Sequence, residues 1–101
     1  MSTADWTFLT NHAHVLVCIA RDPGISMRAI SDQVGITERA VQRLIADLAD
    51  QGYLTREREG RRNTYRLNTQ RPLRHPVERG TRISDLLELL TAESGTPTAS
   101  S

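Results

Sequence analysis

The chain has no lysine and a single cysteine, Cys18. One thiol cannot form an intramolecular disulfide, and a reducing, cytoplasmic setting is the default expectation. No apolar run approaches the ~20 residues that a membrane span needs. The N-terminus also lacks the basic start and apolar stretch of a secretion signal. Catalytic arrangements are missing too: there is no Ser/His/Asp set, no paired carboxylates and no glycine-rich phosphate loop. A chain of 101 residues forms one small core with little room for a substrate cleft. Neither an enzyme nor a cofactor is expected.

Without lysine, all thirteen basic residues are arginine. The guanidinium fork matches phosphate oxygens and guanine edges, which suits a nucleic-acid partner. A GC-rich genome would enforce the same choice, and it is the reading preferred for the composition, because the basic residues outside the middle segment are also never lysine. The net charge of +1 hides a strong asymmetry. Residues 1–52 carry four Arg against six acids, and residues 83–101 carry three acids and no base. Residues 53–82 carry nine Arg against three Glu, a net of +6. A basic middle between acidic ends points to a polyanionic partner.

Apolar periodicity divides the chain. Trp6, Phe8 and Leu9 form a short cluster, suited to an entry strand or a staple. Thr10 or Asn11 can cap a helix, NHAHVLVCIAR, whose stripe is Ala13, Leu16, Val17 and Ala20, widened by Val15 and Ile19. His14, Cys18 and Arg21 form its narrow polar strip, and Asp22-Pro23-Gly24 ends it. Ser26 can cap a second helix with Met27, Ile30 and Val34 inward. Gly35 breaks that helix, and Thr37 caps a third that runs to Gly52, with Val41, Leu44, Ile45 and Leu48 inward. The period then shifts to two. YLTRERE and NTYRLN, joined through a turn of about three residues around GRR, read as a hairpin. Residues 68–80, with Pro72, Pro76 and Gly80, read as an extended connection. Ile83, Leu86, Leu87, Leu89 and Leu90 make a last amphipathic helix, started by Ser84 or Asp85.

The stretch ISDQVGITERAVQRL has the pattern of a helix-turn-helix. Gly35 sits in the turn, Ile30, Val34, Ile36, Val41 and Leu44 fill the aliphatic positions, and Ser31 is small where the helices approach. On the third helix, Arg39, Arg43 and Ala46 oppose the core stripe, with Glu38 and Gln42 beside them. Arg can read guanine and Gln can read adenine from such a face. The plainer alternative is the solvated side of an amphipathic helix.

Helix, helix-turn-helix and a two-stranded ribbon, in that order, resemble the winged helix-turn-helix repressors of the MarR and ArsR type. The resemblance covers residues 6–68 and is strongest in AVQRLIADLADQGYLTRE. It implies a mainly α fold with a small β-hairpin (α+β), a winged helix-turn-helix followed by a C-terminal helix. It implies a sequence-specific regulator of double-stranded DNA, a repressor, with helix 38–51 in the major groove. Thr37, Arg39, Gln42 and Arg43 would meet the major groove. Arg61, Arg62 and Asn63 would form the wing tip, with Arg58 and Thr64 on phosphates, Arg56 beside Arg58, and Arg66 as surface charge. The chain departs from a typical MarR protein in being shorter at both ends, which leaves few residues for a ligand pocket. The paired cysteines and acid/His clusters of metal-sensing ArsR proteins are absent.

The expected organisation is then a flexible start at 1–5, a DNA-binding domain at 6–68 and an extended linker at 69–82. A helix follows at 83–92 and a disordered tail at 93–101. The last helix carries more apolar surface than an isolated helix keeps wet. It either folds back on the first helix or pairs with its copy. A homodimer through it, with or without a share from the first helix, suits a palindromic site. His14 and Cys18 share a helix face, but two ligands do not make a metal site, and packing is the reading preferred. His75, between two prolines, is expected to pack or solvate. No membrane is expected as a partner, any small-molecule effector is unspecified, and a DNA partner implies a cytoplasmic, nucleoid-associated protein of bacteria or archaea. The runner-up function is a protein-interaction module that docks its basic hairpin on an acidic partner.

Overall fold

The computed structural model describes residues 7–91, apart from the side chain of Arg62. The expectations for residues 1–6, Trp6 included, and for the tail from 92 lie outside the described residues. Four helices and one antiparallel hairpin follow in the order α1 (Asn11–Arg21), α2 (Met27–Val34), α3 (Glu38–Asp50), β1 (Leu54–Glu59), β2 (Arg62–Leu67), α4 (Ile83–Thr91). A 3-10 turn at Pro76–Glu78 interrupts the segment before α4.

α1 is the hub, contacting α2, α3, α4 and β2. Val15 and Ile19 are fully buried and Leu16 nearly so. Being covered on several sides corrects one expectation: Cys18 belongs to the core rather than to a polar strip. Its thiol donates to Gln33 Oε1 of α2 at 3.4 Å. Residues 7–10, ahead of α1, form neither strand nor helix; Phe8 is largely exposed and Leu9 half-buried.

The turn between α2 and α3 follows from three residues. Ser26 Oγ accepts from Ala29 N–H at the start of α2, and Thr37 Oγ1 accepts from Ala40 N–H at the start of α3. Between them Gly35 adopts φ +85°, a left-handed conformation that costs an L side chain but not glycine. Its N–H and that of Ile36 both return to Ser31 O. With the turn fixed, Ile30 meets Val41, Leu44 and Ile45 in the core.

α3 closes with a Schellman motif. Tyr53 N–H donates to Leu48 O at 2.8 Å and Gly52 N–H to Ala49 O at 3.1 Å, with Gly52 at φ +83°. Segment 68–73 seals this end. Arg71 Nε donates to Gln51 O at 2.9 Å while its guanidinium lies 5.8 Å from the centre of the Tyr53 ring. Asn68 Nδ2 donates to Gly52 O, and the Tyr53 hydroxyl donates to Pro72 O.

The hairpin pairs Leu54 with Leu67 at its base and Glu59 with Arg62 at its end. Its turn is therefore two residues, Gly60 and Arg61, shorter than the turn around GRR suggested. Gly60 takes φ +62°, the positive φ that a type II′ turn places at its first central position. Tyr65 N–H donates to Pro23 O and so ties β2 to the loop after α1.

Residues 69–82, expected as an extended linker, carry bonds that close the segment on itself. Leu73 N–H donates to Thr81 O, Pro72 bridges Arg82, Ile83 N–H donates to Arg71 O, and Ser84 N–H donates to Thr69 O. The segment leaves and returns at one point, with Gly80 at φ +92° and a His75–Glu78 capping box around Pro76. α4 starts on the core, where Asp85 Oδ2 accepts from Arg82 N–H. It folds back on α1, burying Ile83 and Leu87 and leaving Leu89 75% exposed.

Ile45 is fully buried among α1, α2 and α3 residues, whereas Val77 is 85% exposed on the 3-10 turn. Ile45→Ala should cost about 3 kcal/mol of unfolding free energy in a urea titration, and Val77→Ala less than about 0.5 kcal/mol.

Candidate nucleic-acid interface

α3 must bury one face, and the spacing that achieves this determines what the other face offers. Val41, Leu44, Ile45 and Leu48 are buried. Arg39, Gln42, Arg43 and Ala46, at i, i+3, i+4 and i+7, are exposed together on the opposite side. Thr37 is exposed at the amino end; its oxygen accepts from Ala40 N–H, which leaves its O–H free to donate outward. The face changes sign along the helix. Arg39 and Arg43 lie in the amino half, and Asp47 and Asp50 in the carboxyl half. Asp47 Oδ2 meets His12 Nε2 of α1 at 2.9 Å.

The hairpin has two chemically different faces because side chains alternate along each strand. Leu54 and Tyr65 are buried and define the inward face. By register, Arg56 stands opposite Tyr65 and Arg58 opposite Asn63 on that same side. No acid shares it. Glu57, Glu59, Thr64 and Arg66 occupy the other side, where Arg66 Nη2 donates to Glu57 Oε2.

The residues expected at the site therefore separate. Thr37, Arg39, Gln42 and Arg43 come together on α3. Arg58 and Asn63 share one face of the hairpin, Arg61 stands at the turn, and Thr64 lies on the opposite face, apart from Arg58. Arg62 opens β2 opposite Glu59. Arg58 Nε donates to Gly60 O, which draws it toward the turn. Strand alternation in the sequence already carried this division, once the two-residue turn fixed the pairing. Arg71, counted in the basic segment, is engaged at the end of α3.

The lesser candidates resolve as packing and capping. His14 Nδ1 bonds Asn11 Oδ1 at 3.1 Å, and Cys18 is buried, so the two do not offer a shared exposed face. His75 Nδ1 accepts from Val77 N–H as a cap. Among the described residues no three His, Cys, Asp or Glu side chains are grouped to hold a metal ion. Contrary to the expectation of little room, a cleft of about 600 Å³ lies between α1, α3 and the segment 73–78.

Burial raises the Cys18 thiol above its ordinary range, with the Arg21 charge pulling the other way. The Tyr65 phenol is raised likewise by burial, against the Arg56 guanidinium.

The MarR family model matches residues 7–62, more than half of the chain. No curated protein matches it. Among solved structures the chain is similar to the zinc-dependent MarR family transcriptional regulator AdcR in its Zn(II)-bound state, with a TM-score of 0.50 and 18% identity. That likeness covers 93% of this chain and 64% of AdcR, so the chain spans less than two thirds of that protein. At this identity the likeness is one of fold.

Both raised acids stay protonated in the folded chain at pH values where the unfolded chain would ionise. Stability should be intact at neutral pH and fall as pH rises past the ordinary values of about 9 for the thiol and about 10 for the phenol. Urea titrations from pH 7 to 11 would read this, and Cys18→Ser and Tyr65→Phe should each remove part of the fall.

Proposed function

The chain belongs to the MarR family of transcriptional regulators, and on that premise we propose that it binds double-stranded DNA sequence-specifically, as a homodimeric repressor. Membership makes it a regulator rather than an enzyme. The observation that carries the proposal is the outward face of α3, where Arg39, Gln42 and Arg43 are exposed together and backed by four buried aliphatic residues. This helix enters the major groove in the proposal, with Arg and Gln reading base edges and Thr37 donating to a phosphate at the helix start.

The hairpin contacts the backbone and the minor groove. Arg58, Asn63 and Arg61 form its working side with Arg56, and Arg62 extends the tip. Thr64, first grouped with Arg58, has the weaker claim, because it shares its side with Glu57 and with an arginine already paired. The domain of residues 6–68 is not tethered by a loose linker in this reading. Segment 69–82 closes on itself, so α4 is held rigidly against the reading unit.

The dimer forms through α4. Ile83 and Leu87 are committed to the monomer core, while Leu89 is exposed and Leu86 and Leu90 half-exposed. α1 is already covered by α2, α3 and α4, which leaves α4 the main contact. Two copies would then read a palindrome. A DNA partner implies residence at the nucleoid of a bacterial or archaeal cell, and no helix among the described residues is long and apolar enough to cross a membrane.

Duplex binding measured by anisotropy across salt concentrations tests this. If the dimer makes about six phosphate contacts, log K should fall against log salt with a slope of about −5. Arg58→Ala and Arg61→Ala should each flatten the slope, by about 0.9 for every phosphate that the substitution leaves without a cation. Arg66→Ala should leave it unchanged. Gln42→Ala or Arg43→Ala should relax preference at one or two base pairs by about 1–3 kcal/mol. Selection from a random duplex pool should return a palindrome. Failure to bind random duplex at low salt would leave the basic hairpin to the runner-up role, docking on an acidic protein.

A further inference from the structure

Arg71 belongs to neither α3 nor α4, yet it bonds both. Its Nε donates to Gln51 O at the carbonyl end of α3 at 2.9 Å. Its own carbonyl accepts from the N–H of Ile83, the first residue of α4, also at 2.9 Å. The guanidinium lies 5.8 Å from the centre of the buried Tyr53 ring, and the Tyr53 hydroxyl donates to Pro72 O at 2.8 Å. Pro72 in turn bridges Arg82, the residue before α4. At Gly52 a Cβ would stand 3.3 Å from Arg71 Nε, so the guanidinium passes close against the turn that ends α3. Two neighbouring residues of the returning chain, Arg71 and Pro72, thus join the end of α3 and the start of β1 to the start of α4.

α3 and α4 are also connected through α1, on which each of them packs. Apolar packing is non-directional, so it opposes separation of two helices more than a small turn of one on the other. Hydrogen bonds and a cation over a ring have preferred directions. We propose that Arg71 is a positioning residue for DNA recognition: it holds α4 at one angle to α3 and so sets the half-site spacing that the dimer accepts. This rests on the proposed function, in which α3 reads bases and α4 joins two copies. One base pair added between half-sites moves them about 3.4 Å apart and turns one against the other by about 35°. A dimer with a stiff joint then loses base contacts in one half-site, whereas a loose joint follows the displacement. Arg71 itself touches no base or phosphate in this scheme. Its side chain is exposed, so its replacement leaves the core in place.

The test uses the full chain and the palindrome selected from a random duplex pool, together with versions that have one base pair added to or removed from its centre. Anisotropy gives the dissociation constant for each, and for a single half-site. The unaltered chain should lose about tenfold or more on either changed spacing, as when base contacts in one half-site are broken. Arg71→Met keeps a side chain of similar length over the ring but has no donor for Gln51 O. It should bind all three spacings to within about threefold of one another, with half-site affinity reduced no more than about twofold. Arg71→Lys, which restores a donor and a charge, should recover most of the discrimination. Tyr53→Phe removes the bond to Pro72 O while keeping the ring, and should relax the spacing in the same direction, so the joint stays testable if Arg71→Met fails to fold. A merely structural role would weaken every duplex by the same factor and leave the ratios between spacings unchanged; that result would overturn the proposal. An unaltered chain that binds the palindrome and both altered spacings equally would overturn it too, with DNA binding intact. An unaltered chain that binds no duplex, or binds it as a monomer, would overturn the proposed function and the role of Arg71 with it.

Discussion

The carbonyl end of α3 is held by backbone bonds from Gly52 and Tyr53, by Asn68 on Gly52 O, and by Arg71 on Gln51 O. A helix end leaves carbonyls without partners inside the helix, and here the chain that returns from the hairpin satisfies part of that need. Three consequences share this cause. The direction of α3 is set, β1 begins two residues beyond the Gly52 turn in a fixed direction, and the segment after β2 is brought back to the base of the hairpin. The core stripe of α3 supplies the energy of burial, but that burial alone would tolerate small rotations of the helix. The bonds at its end do not, and they fix where the hairpin leaves the helix.

What the sequence made legible was local. Ser26, Gly35 and Thr37 act within one or two turns of themselves, and the 3.6-residue stripe of α3 needs no distant partner, so both the turn and the two faces of the helix follow directly. The hairpin was legible as a hairpin, but its turn length was not. Gly60, Arg61 and Arg62 are all turn-compatible, and only the pairing of Glu59 with Arg62 decides between two residues and three. The burial of Cys18 is not legible in a helical wheel, which shows spacing and not neighbours. α2 covers the side on which the thiol lies. The closure of segment 69–82 is not legible in the sequence, because its prolines and glycine mark only breaks in regular structure, while the bonds that close it join residues 8 to 15 apart. The candidate site divided the same way: the α3 residues could be read from periodicity, whereas separating Thr64 from Arg58 required the register.

A net charge near zero conceals a division of labour among the arginines. Arg71 serves a helix end and a ring, Arg66 balances Glu57, and Arg21 donates to Leu90 O across α1 and α4. Of the remaining exposed guanidiniums, Arg39 and Arg43 lie in the amino half of α3, and Arg56 and Arg58 share the side of the hairpin that carries no acid. The carboxyl half of α3 is acidic. One helix thus separates two electrostatic environments, a basic one outward at its start and an acidic one beside the cleft at its end.

The hairpin is fastened only at its base. Leu54 and Tyr65 are buried there and Pro23 O accepts from Tyr65 N–H, whereas from Thr55 to Arg61 every residue is exposed. The ladder of paired amides is therefore backed by a core at one end and by water at the other. Hydrogen exchange should grade along it, slow at Tyr65 and fast near Gly60, as fraying does in a strand pair that is clamped at one side. Ordering the tip against a surface would cost conformational entropy that the base has already given up on folding, so each contact made near the turn carries a larger entropic cost than the same contact made near Tyr65.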